Sequence, residues 1–424
     1  MRRKWDKAKL SQSACLLEGL CIFLHRTDGN FAVIIHSYRD CANVFPRGMS
    51  GMYMTTPGRF FCTNLREADV MGGATLDRLE QCIRLVAEER RPEIIYVFGS
   101  CLSELIGDDI EGTVRALSRE LPVPVIGVTS SGLDDITQKK IIDWHAELMY
   151  RACRPAAAAM PRSVNIIGFP PDRGHEITAL LEQAGITVNV WLDGTAPLHE
   201  WQKLPAGALN VVPEKNLFPA LLDHMERDLG TPVIEAPVPV GLHAAETFFT
   251  ALAARLDLSG AMAPLVAEWK QDALARVQPH LERFRGAHLG YNIGTDRNYH
   301  PHRVARDGMG EAGFFEELGF EVTLLIQGSP DPERKRLITE QLVRFGIRAD
   351  FDIFMDNVAM TPALMKKHYD LVYCVDFMAD MVRPTQTPMI SIGTLRMGFD
   401  GFVHNVRMAH AAMEQDRRRT GVAP

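Results

Sequence analysis

The stretch IIYVFGSCLSELIGDDIEG, residues 94–112, decides the reading of this chain. It opens on a run of apolar, β-prone residues, which suits a strand covered on both faces. Gly99 and Ser100 break the run, Cys101 follows, and an apolar pattern with helical spacing begins. A strand that passes into a helix through so short a turn is half of a βαβ unit. In an open α/β sheet, functional groups gather beyond the carboxyl ends of the strands. A helix N-terminus also favours negative charge and so promotes the thiolate, the form that binds metal. The plainer use of Cys101 is packing inside a buried turn, and this stretch alone does not choose between the two.

The same pattern extends along the chain. FAVIIH (31–36), EIIYVFG (93–99) and PVIGV (124–128) read as strands with helices between them. RPAAAAMPRS (154–163) breaks the pattern as a linker. It restarts with VNIIGF (164–169), ITVNVW (186–191), LNVVP (209–213) and PVIEAPVPVG (232–241). A long helical stretch over 244–286 leads to a third set: HLGYNIG (288–294), EVTLLIQG (321–328), DFDIFMD (350–356), DLVYCVD (370–376) and PMISIG (388–393). Apolar strands alternating with helices imply parallel sheets. Three restarts imply three doubly wound, Rossmann-like α/β domains, at 1–155, 160–286 and 287–396, with a C-terminal helix and tail over 397–424. A chain of 424 residues with 46% apolar content has material for several cores.

A net charge of −7 and the lack of a basic stripe argue against nucleic acid as a partner. Arg417–Arg419 reads as a solvated tail. No apolar run reaches membrane-spanning length. The basic N-terminus has no apolar signal core behind it, so a cytoplasmic protein is expected.

Eight cysteines in such a chain are not expected to form disulfides, and six of them lie at positions 15, 21, 41, 62, 82 and 101. Cys41 follows the strand FAVIIH and Cys101 follows EIIYVFG, so both belong to strand ends. Cys62, in RFFCTNL, falls in a loop-like region rich in Gly, Thr and Pro. Taken together, the three point to a shared cluster. The spacing is not C-x-x-C, which disfavours a zinc ribbon, and wide spacing without a histidine partner fits iron–sulfur ligation better. Cys15 is ambiguous; Cys21, Cys82 and Cys153 read as helix packing. Cys374 ends a strand, from which it can face a cleft. Gly72-Gly73 reads as a tight turn and Asp108-Asp109 as a helix cap with an acidic first turn. His36 is either a strand-end residue or a donor behind the thiols.

HSYRDC (36–41), FFC…EADVMGG…LEQCI (60–83), CLSELIGDDIEG (101–112) and GFDGF (398–402) resemble the nitrogenase component 1 family, over nearly the whole chain. The resemblance implies an oxidoreductase subunit of the β type, without the substrate-reducing cofactor. It implies that Cys41, Cys62 and Cys101 ligate an iron–sulfur cluster of the P-cluster type (8Fe-7S), shared with a homologous α-type chain in an α2β2 complex. That cluster relays electrons from an ATP-dependent iron protein. Ser130, in VTSSGL, falls near a serine that also touches the cluster in some β-type chains, with Ser131 adjacent. ALNVVPEKN lacks the α-type cofactor cysteine, and Met397 stands where the α-type histidine would be. The loop HSYRDC departs from the family by lacking its usual His-Gly glycine. Cys15, Cys41 and Cys101 also fit the spacing of α-type chains and of tetrapyrrole-reducing relatives, and the resemblance to the latter implies a 4Fe-4S cluster instead. Methylthio-alkane reductases, which cleave carbon–sulfur bonds, are the branch the chain resembles best. The alternatives are a cofactor-assembly scaffold, a nitrogenase β-type chain and a dark-operative protochlorophyllide reductase-type chain.

Overall fold

The computed structural model describes residues 29–39, 41, 58–128, 146, 150–151, 159–172, 174–192, 196–215, 218–292, 309–328, 330, 332–355, 357–374 and 378–420. These residues build three sheets, and every strand pair whose register is defined is parallel. The first contains β1 (Phe31–His36), β2 (Phe60–Cys62), β3 (Ile94–Gly99) and β4 (Val125–Val128) in the order β2-β1-β3-β4. Its helices are α1 (Glu67–Met71), α2 (Thr75–Arg90), α3 (Cys101–Leu105) and α4 (Ile110–Glu120).

The second sheet runs through β5 (Ser163–Ile167), α5 (Glu176–Gln183), β6 (Thr187–Leu192), α6 (Leu198–Trp201), β7 (Leu209–Val212), α7 (Pro219–Leu229) and β8 (Val233–Glu235), in the order β6-β5-β7-β8. Helices α8 (Leu242–Arg255) and α9 (Ser259–Leu281) follow. The third sheet comprises β9 (His288–Asn292), α10 (Met309–Leu318), β10 (Glu321–Gln327), α11 (Pro332–Phe345), β11 (Asp350–Phe354), α12 (Asn357–Met365), β12 (Leu371–Cys374), α13 (Ala379–Val382) and β13 (Met389–Ser391). Its order is β11-β10-β9-β12-β13, and α14 (Gly398–Thr420) ends the chain. Contacts divide the chain into two compact units, one of 1–160, 189–207 and 216–231, the other of 161–188, 208–215 and 232–424.

The continuous apolar runs have a direct cause: both faces of these strands are covered. Every residue of β1 and β3 is buried. On one face, Ala32, Ile34, Ile95 and Val97 pack against Leu79, Ile83 and Val86 of α2 and Ile110, Val114 and Leu117 of α4. Cys82 lies on α2 against the same core. In the third sheet Cys374 is fully buried with Leu325, Met360, Leu364 and Val372, so it is core and faces no open cleft.

Three expectations change. FFC, read as loop, is the short strand β2, paired with β1 at Ile34↔Phe61 and Ile35↔Cys62. PVIEAPVPVG is a strand only over Val233–Glu235, since Pro237 and Pro239 have no N–H to donate to a ladder. The helical stretch over 244–286 is two helices, broken where Asp257 takes φ 57°.

The GFDGF segment starts α14 against α5. Glu176 accepts the N–H groups of Asp400 and Gly401, each at 2.8 Å, so a carboxylate satisfies donors that the helix start leaves open. Gly398 has φ +89°, and a Cβ there would overlap the Glu176 carboxylate. Gly398→Ala is therefore expected to lower stability by at least about 1 kcal/mol, from the left-handed backbone alone. Urea unfolding measures it; an unchanged midpoint would show that the cap is dispensable.

Candidate functional site

The first sheet reverses its winding between β1 and β3, and ligands in open α/β sheets bind at that switch point. Register aligns the strand ends there: His36 pairs with Gly99, and Ile35 with Cys62. Segments leaving β2, β1 and β3 therefore emerge along one edge. Cys41 follows β1 and Cys101 follows β3, so these two flank the switch point, and both are exposed. Cys101 is the first residue of α3, whose start is closed by a reciprocal pair: Ser103 N–H donates to Ser100 Oγ, and Ser100 N–H donates to Ser103 Oγ at 2.7 Å.

Cys62 differs from both. It is half-buried, its Sγ lies 3.3 Å from Ser37 O as a thiol donor, and it accepts the Asn64 N–H at 3.3 Å. Burial pushes its thiol above the ordinary range; the Asn64 N–H works against this and the nearby Cys41 adds to it. Cys82 is pushed up to about 11, chiefly by burial. Burial thus disfavours the thiolate at Cys62 and Cys82, while Cys41 and Cys101 are exposed. Cys15, Cys21, Cys153, Ser130 and Ser131 lie outside the described residues.

Behind the thiols lies a polar network. His36 is fully buried; its Nε2 is 2.9 Å from Asp108 Oδ2 and its Nδ1 is 3.2 Å from Thr63 Oγ1. Thr75 Oγ1 donates to Asp108 Oδ1 at 2.6 Å, and Ser100 Oγ donates to the His36 carbonyl at 3.0 Å. His36, through its ring and its carbonyl, and Asp108 together tie β1 to the residue after β2, the turn after β3 and the start of α2. Sequence reasoning placed Asp108 in a helix cap. Only Asp109 caps, accepting the Gly112 N–H at 2.8 Å, while Asp108 turns inward to His36. The doubled aspartate was the one available signal. Gly72-Gly73 closes α1 with Gly73 at φ +69°, in keeping with the tight-turn reading.

Iron–sulfur clusters are held by thiolates and tuned by hydrogen bonds to sulfur. Two exposed thiols beside a switch point fit such a group. Among the described residues no three His, Cys, Asp or Glu side chains converge on one ion. Among the same residues no helix is long and apolar enough to cross a membrane.

The described residues thus carry two exposed thiols beside the switch point of a parallel α/β sheet. The family model described as nitrogenase component 1 type oxidoreductase matches residues 29–413, and the chain belongs to that family. The chain is 25% identical over 298 residues to the nitrogenase iron-molybdenum cofactor biosynthesis protein NifE of Klebsiella pneumoniae, covering 66% of this chain and 65% of that protein. It is 32% identical over 219 residues to the B-type component of light-independent protochlorophyllide reductase from Methylobacterium sp. (strain 4-46), covering 48% and 41%. It thus spans less than two thirds of either relative. A solved structure described as "Nitrogenase Cp1 at pH 6.5" superposes with a TM-score of 0.70 at 15% identity, over 95% of this chain and 92% of that one, a likeness of fold.

Asp108→Asn removes the charged partner of a buried imidazole. It is expected to cost about 1.5–3 kcal/mol in urea unfolding. Burial lowers the His36 pKa below its ordinary 6.5, although Asp108 opposes the shift. The depressed value means that stability from neutral His36 is complete above pH 6.5 and is lost as pH falls through the folded pKa. His36→Gln is expected to remove that acid-side loss, which unfolding midpoints between pH 5 and 8 would reveal.

Proposed function

We propose that this chain is the β-type subunit of a nitrogenase-like reductase, and that it holds an iron–sulfur cluster together with a homologous α-type partner. The observation that carries this is the exposure of Cys41 and Cys101 on either side of the first sheet's switch point. Exposed thiols that do not close a site by themselves suit a cluster completed by further ligands. Cys62, at the end of β2, is the third ligand of this proposal, Cys15 the alternative third ligand, and Ser130 a further oxygen donor. Ligation by Cys62 requires its thiol to give up the proton it directs at the Ser37 carbonyl.

When bound, the cluster accepts and passes on single electrons from an ATP-dependent iron protein. The chain's own residues hold and orient it: Cys41 and Cys101 supply thiolate, and the His36–Asp108 pair fixes the strand ends that carry them. The finer proposal is a P-cluster-type centre in an α2β2 complex that cleaves carbon–sulfur bonds of methylthio-alkanes. A second reading, a cofactor-assembly scaffold, is favoured by the similarity to NifE over 298 residues.

The test is anaerobic purification of the tagged chain with its co-purifying partner, followed by iron analysis and EPR. An eight-iron interface centre with a second cofactor in the partner supports the reductase. A single four-iron cluster favours a tetrapyrrole-reductase-type chain or the scaffold. Cys41→Ala, Cys62→Ala and Cys101→Ala are each expected to lose most of the cluster iron. Full iron in Cys62→Ala alongside iron loss in Cys15→Ala would move the ligand set to Cys15, Cys41 and Cys101 and the reading to a tetrapyrrole-reductase-type chain.

A further inference from the structure

The third sheet ends at the edge strand β13, and α14 packs beside it. Between them, away from the β9–β12 switch point, lies an open groove of about 300 Å³. Its body is apolar. Met389 and Ile390 of β13 line one side, and Met408, Ala411 and Ala412 of α14 line the other. Ser391 and Thr394, where the chain leaves β13, complete the lining.

The turn from β13 to α14 is held at several points. Thr394 Oγ1 donates to the Ser391 carbonyl at 2.6 Å, and the Gly398 N–H donates to the Pro239 carbonyl at 2.8 Å. Asn405, fully buried on α14, grips the backbone of Arg396 on both sides. Its Oδ1 accepts the Arg396 N–H and its Nδ2 donates to the Arg396 carbonyl, each at 2.8 Å. A Cβ on Gly401 would come within 2.8 Å of the same carbonyl, so the turn lies directly on the helix. The Arg396 backbone is thus fixed, yet its side chain is exposed. Among the described residues the guanidinium makes no hydrogen bond and no ion pair.

His404 stands close enough to feel that charge. Burial lowers its pKa below the ordinary 6.5, and Arg396 lowers it further. The imidazole is therefore neutral at pH 7, and the two residues together offer one positive charge and a ring N–H. His404 also joins this charge to the groove. On α14 it shares a face with Met408, Ala411 and Ala412, which follow it at helical spacing. Arg396 follows the groove residue Thr394 along the turn. An apolar trough thus has a rigidly mounted cation at one end.

Ligand sites are mostly apolar, with a few polar groups that fix orientation. A guanidinium presents a planar fork of donors that matches a carboxylate. A single positive charge suits a monoanion better than a phosphate dianion. We propose that the β13–α14 groove binds a small amphipathic carboxylate, with its aliphatic chain between Met389, Met408 and Ala412 and its head on Arg396 and His404. The inference does not depend on the cluster reading and draws on none of its residues.

The experiment is isothermal titration calorimetry on the purified chain with its co-purifying partner, using octanoate, octan-1-ol and acetate as probes. Octanol keeps the chain without the charge, and acetate keeps the charge without the chain. Octanoate is expected to bind, and each of the other two to bind about tenfold more weakly or worse. Arg396→Gln, an exposed change, is expected to weaken octanoate by a similar factor. Ala412→Trp fills the groove and is expected to abolish binding, with circular dichroism confirming that both variants are folded. Equal affinity for octanol and octanoate, or wild-type affinity in Arg396→Gln, would overturn the inference. Octanoate binding retained in folded Ala412→Trp, or absent from the wild type, would overturn it as well.

Discussion

The structure of the candidate site depends on the placement of β1 between β2 and β3 in one parallel register. Because His36 pairs with Gly99 and Ile35 with Cys62, three strands finish at the same level. Parallel strands cannot be joined by tight hairpins, so each must leave the sheet through a connection at that edge. The chain therefore accumulates turns, helix starts and their unsatisfied groups in one place. His36 turns this crowding into order. It lies at the end of the central strand, fully buried, and reaches Asp108 before α4 and Thr63 after β2. A buried hydrogen-bonded pair contributes little net stability over an apolar replacement of the same shape, but removing one partner leaves the other unsatisfied at the full cost of its desolvation. That asymmetry suits a residue whose task is to hold three strand ends in one arrangement.

Much of this was legible in the sequence because the elements are local. FAVIIH is a strand over the residues expected, and EIIYVFG and EVTLLIQG differ by single terminal residues. Their apolar character reflects coverage of both faces, a property that each segment carries alone. What failed was non-local. FFC is too short to show a period, and β1 alone makes it a strand. The inward turn of Asp108 depends on an imidazole 72 positions away. A helix-cap signal is read from neighbours, so it described Asp109 correctly and could not separate it from Asp108.

The cysteines show the same division. Sequence placed Cys41 and Cys101 after strand ends and Cys62 in a loop, whereas Cys62 ends the strand β2. It could not sort them, because thiol chemistry follows desolvation and hydrogen bonding, and those follow from packing. Cys62 sits at the end of an edge strand with its sulfur directed at the Ser37 carbonyl, while Cys101 opens a helix in solvent. One residue type thus yields a held thiol at the end of β2 and an available one just past β3.

The third sheet supplies an internal control. It too reverses its winding, between β9 and β12, and it too gathers polar groups at the carboxyl ends of its strands. There the groups satisfy one another. Tyr291 and Tyr373 each donate to Glu311 Oε2 at 3.0 Å, and the Gly393 N–H lies 3.4 Å from the Tyr373 hydroxyl. The first sheet instead leaves two thiols exposed and one buried hydroxyl without a partner. Topology is nearly the same in both, so topology cannot be what assigns chemistry to one of them. The difference lies in unmet bonding capacity. Polar groups that close on one another have no bonding capacity left, whereas the described residues of the first sheet keep some for a ligand.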